Sequence, residues 1–154
     1  MKLSLRSIFR CMMEDGYCPE YEKQYITFCI DDNIGVVGYE EGILFIRIVF
    51  SIDKESYEIF LEASNIAMQR SYGVKAVTFE ESENIMFSCE FPCNTESVFR
   101  KSMARGVELL REAIKVHKEE MKRILLADSI ASHIFPAQED ISDISRTRSG
   151  KICS

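Results

Sequence analysis

The stretch Gly42-Ile43-Leu44-Phe45-Ile46-Arg47-Ile48-Val49-Phe50-Ser51-Ile52-Asp53 decides the fold. It is the most hydrophobic run in the chain, rich in β-branched and aromatic residues and too short for a buried helix. Read as a strand, it sends Leu44, Ile46, Ile48 and Phe50 to one face of a sheet and Ile43, Phe45, Arg47 and Val49 to the other. The first set can line a core. The second sets one arginine among apolar side chains, where its stem can cover apolar surface while the guanidinium stays wet or pairs with an acid. Either this is an ordinary solvated outer face, or it is too apolar for open water and a loop, the tail or a partner covers it.

Downstream, Asp53 is placed to cap a helix, with Ile52 and Tyr57 as the two halves of a hydrophobic staple. Tyr57, Phe60, Leu61, Ser64, Ala67 and Met68 form the core stripe of that helix, and Gly73 ends it. Upstream, "YITFCI" (25–30) and "IGVVGY" (34–39) read as a hairpin across Asp31-Asp32-Asn33, and Glu40-Glu41-Gly42 turns the chain into the opening stretch. Two further strands follow the helix, "VKAVTFE" (74–80) and "IMFSCEF" (85–91). Before all of these, Leu5, Ile8, Phe9, Met12 and Met13 recur at helical spacing from Ser4 until Gly16 and Pro19 stop them.

Pro92 breaks the last strand, and Asn94 or Thr95 caps a long helix with Phe99, Met103, Val107, Leu110, Ile114, His117, Met121 and Ile124 on one stripe. The fold class is therefore α+β: a five-stranded antiparallel sheet with three helices packed mainly on one face, in the order α-β-β-β-α-β-β-α. Residues 1–126 form a single domain. Residues 127–154, rich in Ser and Asp and interrupted by Pro136, read as a C-terminal tail, flexible or docked as a short helix.

Charge and cysteine usage exclude several classes of function. The chain of 154 residues carries a formal net charge of −6. Residues 1–94 hold 8 Lys/Arg against 16 Asp/Glu, whereas residues 95–126 hold 8 against 5. So acidic a surface repels phosphate backbones and points away from nucleic acid. No apolar run approaches the roughly 20 residues that span a bilayer, and the charged N-terminal segment resembles no export signal, so a cytoplasmic protein with no membrane anchor is expected. The six cysteines are then expected as free thiols. "CEFPC" offers no CxxC, and His117 and His133 fall outside any ligand spacing, so no metal site and no cofactor is expected. His117, on the apolar stripe, reads as a packed core residue, and no nucleophile can be assigned to it. The chain is not read as an enzyme.

The run "GILFIRIVFSIDKESYEIFLEASNIAMQRSYGVKAVTFEESENIMFSCEFPCNTESVFRKSMARGVELLREA" resembles the YbjN-like family of bacterial proteins, described as sensory transduction regulators. The likeness covers residues 1 to about 125 and lies in the element order, the strand ending in "SID" and the helical Asn65. It implies the fold of the type III secretion chaperones, which are small acidic homodimers holding an extended segment of another protein. The function this suggests is a non-enzymatic protein-binding module, chaperone-like or adaptor, acting as a homodimer. A regulator sensing a small molecule between helix and sheet is the alternative. Candidate partner-binding residues are Ile43, Phe45, Arg47 and Val49 on the outer strand face. To these are added Ile59 and Ile66, which the core stripe of the second helix leaves on its opposite side as a candidate dimer strip.

Overall fold

The structure is a computed structural model and describes residues 2–52, 54–79 and 84–134. Helix α1 (Leu5–Glu14) opens on a reciprocal capping box in which Ser4 and Ser7 satisfy each other's backbone N–H groups. Strands β1 (Glu20–Tyr21), β2 (Ile26–Ile30), β3 (Asn33–Glu40) and β4 (Ile43–Ser51) run antiparallel in sequence order. A 3-10 turn (Lys54–Ser56) leads into α2 (Tyr57–Arg70), followed by β5 (Lys75–Phe79), β6 (Asn84–Pro92) and α3 (Glu96–Ile134). The sheet order is β1-β2-β3-β4-β6-β5, with every pairing antiparallel.

The α+β class with three helices on an antiparallel sheet thus holds, but the sheet has six strands and not five. The extra strand, β1, is two residues long, too short for any hydrophobic period to show. The capping expected of Asp53 falls outside the described residues. The helix itself begins at Tyr57, after the 3-10 turn, with Ser56 at its N-cap making no side-chain capping bond. Thr95 does cap α3, its hydroxyl accepting from the Val98 N–H at 3.1 Å. That helix continues to Ile134, past the point where the apolar stripe weakens. No Gly or Pro intervenes between Val107 and Pro136, and adding a residue to an existing helix costs little once its nucleus is formed. Residues 135–154 lie outside the described residues.

Register is set by two tight turns. Glu41 and Gly42, both at positive φ, join Glu40 to its partner Ile43, the geometry of a two-residue hairpin whose twist matches its strands. Asp31, also at positive φ, does the same between Ile30 and Asn33. With register fixed, Ile26, Phe28, Val37, Leu44, Ile46, Ile48, Ile85, Phe87 and Cys89 fall on one face and are buried beneath the helices. From α3, Phe99, Met103, Val107, Leu110 and Ile114 fill that face, and Ile8, Cys11 and Met12 of α1 close one end. A charged clamp ties α1 to the start of α3: Arg10 pairs with Glu96, and Arg100 with Glu14 and Asp15.

The ends of the sheet differ. On one side β1 presents two exposed residues. On the other, β5 offers five residues whose outer edge pairs with nothing among the described residues.

Gly35 marks the tightest point of the β2–β3 pair. A Cβ there would lie 2.6 Å from the Phe28 ring opposite, and Phe28 is itself in the core. Gly35→Ala should lower the unfolding free energy by about 1–3 kcal/mol through overpacking, read from the urea midpoint at unchanged slope. A neutral result would mean that the ring has room to move.

Candidate functional site

The face of the sheet away from the helices is apolar in a way that water-facing antiparallel sheets are not. Register lines up its side chains in rows across the strands. One row runs Thr27, Val36, Arg47, Ser88 and Lys75. On one side of it Val49, Met86 and Val77 stand in line, with Cys29 and Ile34 completing the row on β2 and β3. Ile34 is 66% exposed and Val49 45%. On the other side, Gly38 faces Phe45, which faces Glu90. The helices bury the opposite face, so this one has no helical cover among the described residues.

Arg47 is where the sequence pattern puts it, on the outer face with Ile43, Phe45 and Val49. Its guanidinium carbon lies 4.6 Å from the centroid of the Phe45 ring, and its Nε donates to the buried Ser88 hydroxyl at 3.4 Å. Cation–π stacking and one hydrogen bond fix the plane of the fork. Lys75, in the same row, is paired with Glu90. Among the described residues, no carboxylate pairs with Arg47.

Beside Arg47 the face is hollowed. A concavity of about 510 Å³ is lined by Gln24, Tyr25, Val36, Gly38, Tyr39, Glu40, Phe45 and Arg47. Its depth follows from Gly38, which has no side chain. A Cβ at Gly38 would meet only the edge of Phe45, at 3.9 Å, so the space above it is open. Tyr39 turns the other way and donates its hydroxyl proton to the Cys93 carbonyl at 2.8 Å.

The two candidates on α2 part company. Ile59 is 5% exposed and packs with Ala63 of the same helix against Met121 of α3, so it belongs to an internal contact and not to an open strip. Ile66 is half-buried. The cause is two-sided burial: Tyr57, Phe60, Leu61 and Met68 pack on the main core while Ile59 and Ala63 face α3. At the same junction the side chain of Glu120 is covered by Arg123, at 2.6 Å, and by Arg70, at 3.0 Å. The Arg123 hydrogen bond, with Arg70 beside it, holds the Glu120 carboxyl below the usual carboxylate range.

His117 is 4% exposed and walled by the rings of Phe60, Phe50 and Phe87, with centroids 4.2, 6.2 and 5.5 Å away. Burial pushes its pKa down to about 4 against the opposing effect of a hydrogen bond with the Phe60 main chain. Nε2 is buried without a partner. The imidazole is therefore neutral at physiological pH and packed among aromatic rings.

The thiols divide by burial. Burial pushes Cys89 up to about 12, and Cys11 and Cys93 upward in the same way. Cys18 and Cys29 are exposed, and all five described cysteines are free. Among these five, a thiol reagent should modify Cys18 and Cys29 within minutes in the native protein and reach Cys11, Cys89 and Cys93 only on unfolding. Peptide mapping after timed labelling checks this, and early modification of Cys89 would contradict the packing described.

Sequence reasoning found Phe45, Arg47 and Val49 from one strand but missed Tyr25, Ile34, Val36, Gly38, Met86 and Ser88, which share their face. The signal was present as the two-residue alternation in 34–39 and 85–91, and needed only the strand register to be read. Among the described residues, no three His, Cys, Asp or Glu side chains gather where they could hold a metal ion, and no helix is long and apolar enough to cross a membrane.

Comparison with known proteins identifies no matching family model and no matching curated protein. Among solved structures, the chain is similar to the crystal structure of YbjN from E. coli, described as a proposed transcription regulator. The TM-score is 0.63 at 8% sequence identity, over 79% of this chain and 94% of that one. At such identity the likeness is one of fold: the chain has a YbjN-like α+β fold.

Proposed function

We propose that the protein is a non-enzymatic binding module, working as a homodimer, that holds a segment of another protein against the outer face of its sheet. The observation that carries this reading is the apolar face that no helix covers among the described residues, where half-buried Arg47 is held in place with no carboxylate partner among them. Apolar surface left facing water is costly, and such a patch rimmed by polar groups is the usual mark of an interaction surface. With Ile59 inside the chain, the second copy has left to it Ile66 and the β5 edge, which is unpaired among the described residues. Edge pairing would extend one sheet across the two-fold axis.

Selection of random displayed peptides on the immobilised full-length protein tests the reading. Peptides should be enriched on the wild type and lost on Val49→Asp, a change at a half-exposed site that leaves the core intact. Failure to enrich any peptide would overturn it. A second reading, a sensor of small molecules, draws on the concavity beside Arg47, which lies on the outer face of the sheet and not between helix and sheet, and is large enough for a compact ligand. A metabolite that raises the melting temperature while no peptide is enriched would favour that alternative.

A further inference from the structure

The reading of the outer face as a binding surface leaves the chemistry of its occupant open, and the concavity beside Arg47 supplies it. Three features stand in line along β3 and β4. Arg47 lies at one end, held by Phe45 and Ser88. The notch over Gly38 comes next, with the Phe45 and Tyr25 side chains lining it. The exposed carboxylate of Glu40 closes the other end. By register the Cα of Arg47 is opposite Val36, so Arg47, the notch and Glu40 start from positions two residues apart along β3, at 36, 38 and 40, with the guanidinium leaning from its own row onto the Phe45 wall of the notch. Successive same-face positions on an extended chain are about 7 Å apart.

We propose that this groove binds an extended peptide segment of the pattern acid-x-apolar-x-base. The carboxylate pairs with the Arg47 fork, a large apolar side chain fills the notch over Gly38, and the cation meets Glu40. The proposal rests on the protein-binding reading above and adds the identity of the ligand.

Charge complementarity selects this occupant. A planar guanidinium fixed by stacking presents its remaining N–H donors in the geometry that carboxylates accept. A wholly acidic segment would be repelled by a protein of net charge −6, but one carrying both signs is neutral as a whole and matched at each end. The apolar residue at the centre follows from the missing side chain: Gly38 leaves a gap between two aromatic rings on a strand where a β-branched residue would otherwise favour the sheet.

The probe is a fluorescein-labelled nine-residue peptide with glutamate, phenylalanine and lysine at alternating central positions and threonine elsewhere. It is compared with versions carrying glutamine for glutamate, alanine for phenylalanine, or the two charges exchanged. Fluorescence anisotropy with the full-length protein should show about tenfold weaker binding for the glutamine and alanine versions. Gly38→Val fills the notch with room to spare and should leave the melting temperature equal or higher while weakening binding of the parent peptide at least tenfold. Arg47→Glu should lose the parent peptide and gain a further version in which lysine replaces the glutamate and the original lysine is kept. Equal binding across the charge series, or full binding by Gly38→Val, overturns the proposal. If peptide selection succeeds but enriches sequences indifferent to Arg47 and Gly38, the groove assignment fails while the binding module stands. If selection enriches nothing, both fall.

Discussion

Phe87→Ala should lower the unfolding free energy by about 3–5 kcal/mol, a large share of what a domain of this size possesses. Phe87 is fully buried on β6, between Ile48 of β4 and Ala76 of β5. Its ring meets the edge or face of Phe50 at 5.3 Å and His117 at 5.5 Å, so it joins the sheet to α3. Removing it leaves a cavity walled by two strands and a long helix, none of which can collapse without breaking other contacts. Denaturant unfolding at neutral pH measures the loss. A cost below about 1.5 kcal/mol would mean that the layer between sheet and α3 is looser than described.

Acid should destabilise the protein earlier than carboxylate protonation alone would. His117 has a folded-state pKa of about 4 against an ordinary value of 6.5. Between those values the unfolded chain binds a proton that the folded chain does not, so stability falls as pH drops from about 6.5 and the loss is complete near pH 4. At 1.36 kcal/mol per unit the total is about 3 kcal/mol. Glu96 and Glu120, both held below the usual carboxylate range by their hydrogen-bonding partners, add to acid sensitivity in the same direction but at lower pH. His117→Met keeps an apolar filling of similar size and removes the titrating ring. Its stability should be nearly flat between pH 7 and 5, where the wild type slopes. Parallel slopes for the two proteins would show that the imidazole is protonated inside the fold.

What the sequence made legible follows from how many faces each element buries. Strand β4 has one face under helices and one outside, so a period of two sorted Leu44, Ile46 and Ile48 from Phe45, Arg47 and Val49 without error. Helix α3 presents one long stripe, and its positions from Phe99 to Met121 are buried as read. Helix α2 is different. Packed on the sheet by one side and on α3 by another, it has apolar residues around most of its circumference, and a one-stripe reading necessarily assigned Ile59 to the solvent. The groove was hidden for another reason. Tyr25, Gly38 and Arg47 come from three separate segments, and only the pairing set by the Glu41-Gly42 turn, and by the matching turn at Asp31, brings them together. Gly38 shows the point well: in sequence it is a weakness in a strand, and only beside Phe45 does it become a hollow.

The unequal edges of the sheet would limit the proposed homodimer to two chains. Sheet growth from chain to chain requires each molecule to offer an acceptor on both sides. Here β1 is two residues long, while β5 has five residues and an outer edge that pairs with nothing among the described residues. Pairing β5 with β5 across a two-fold axis uses both usable edges at once and leaves only the stunted β1 strands at the ends. In the proposed homodimer, association by this route would stop at two chains, because no second long edge would remain among the described residues for a third.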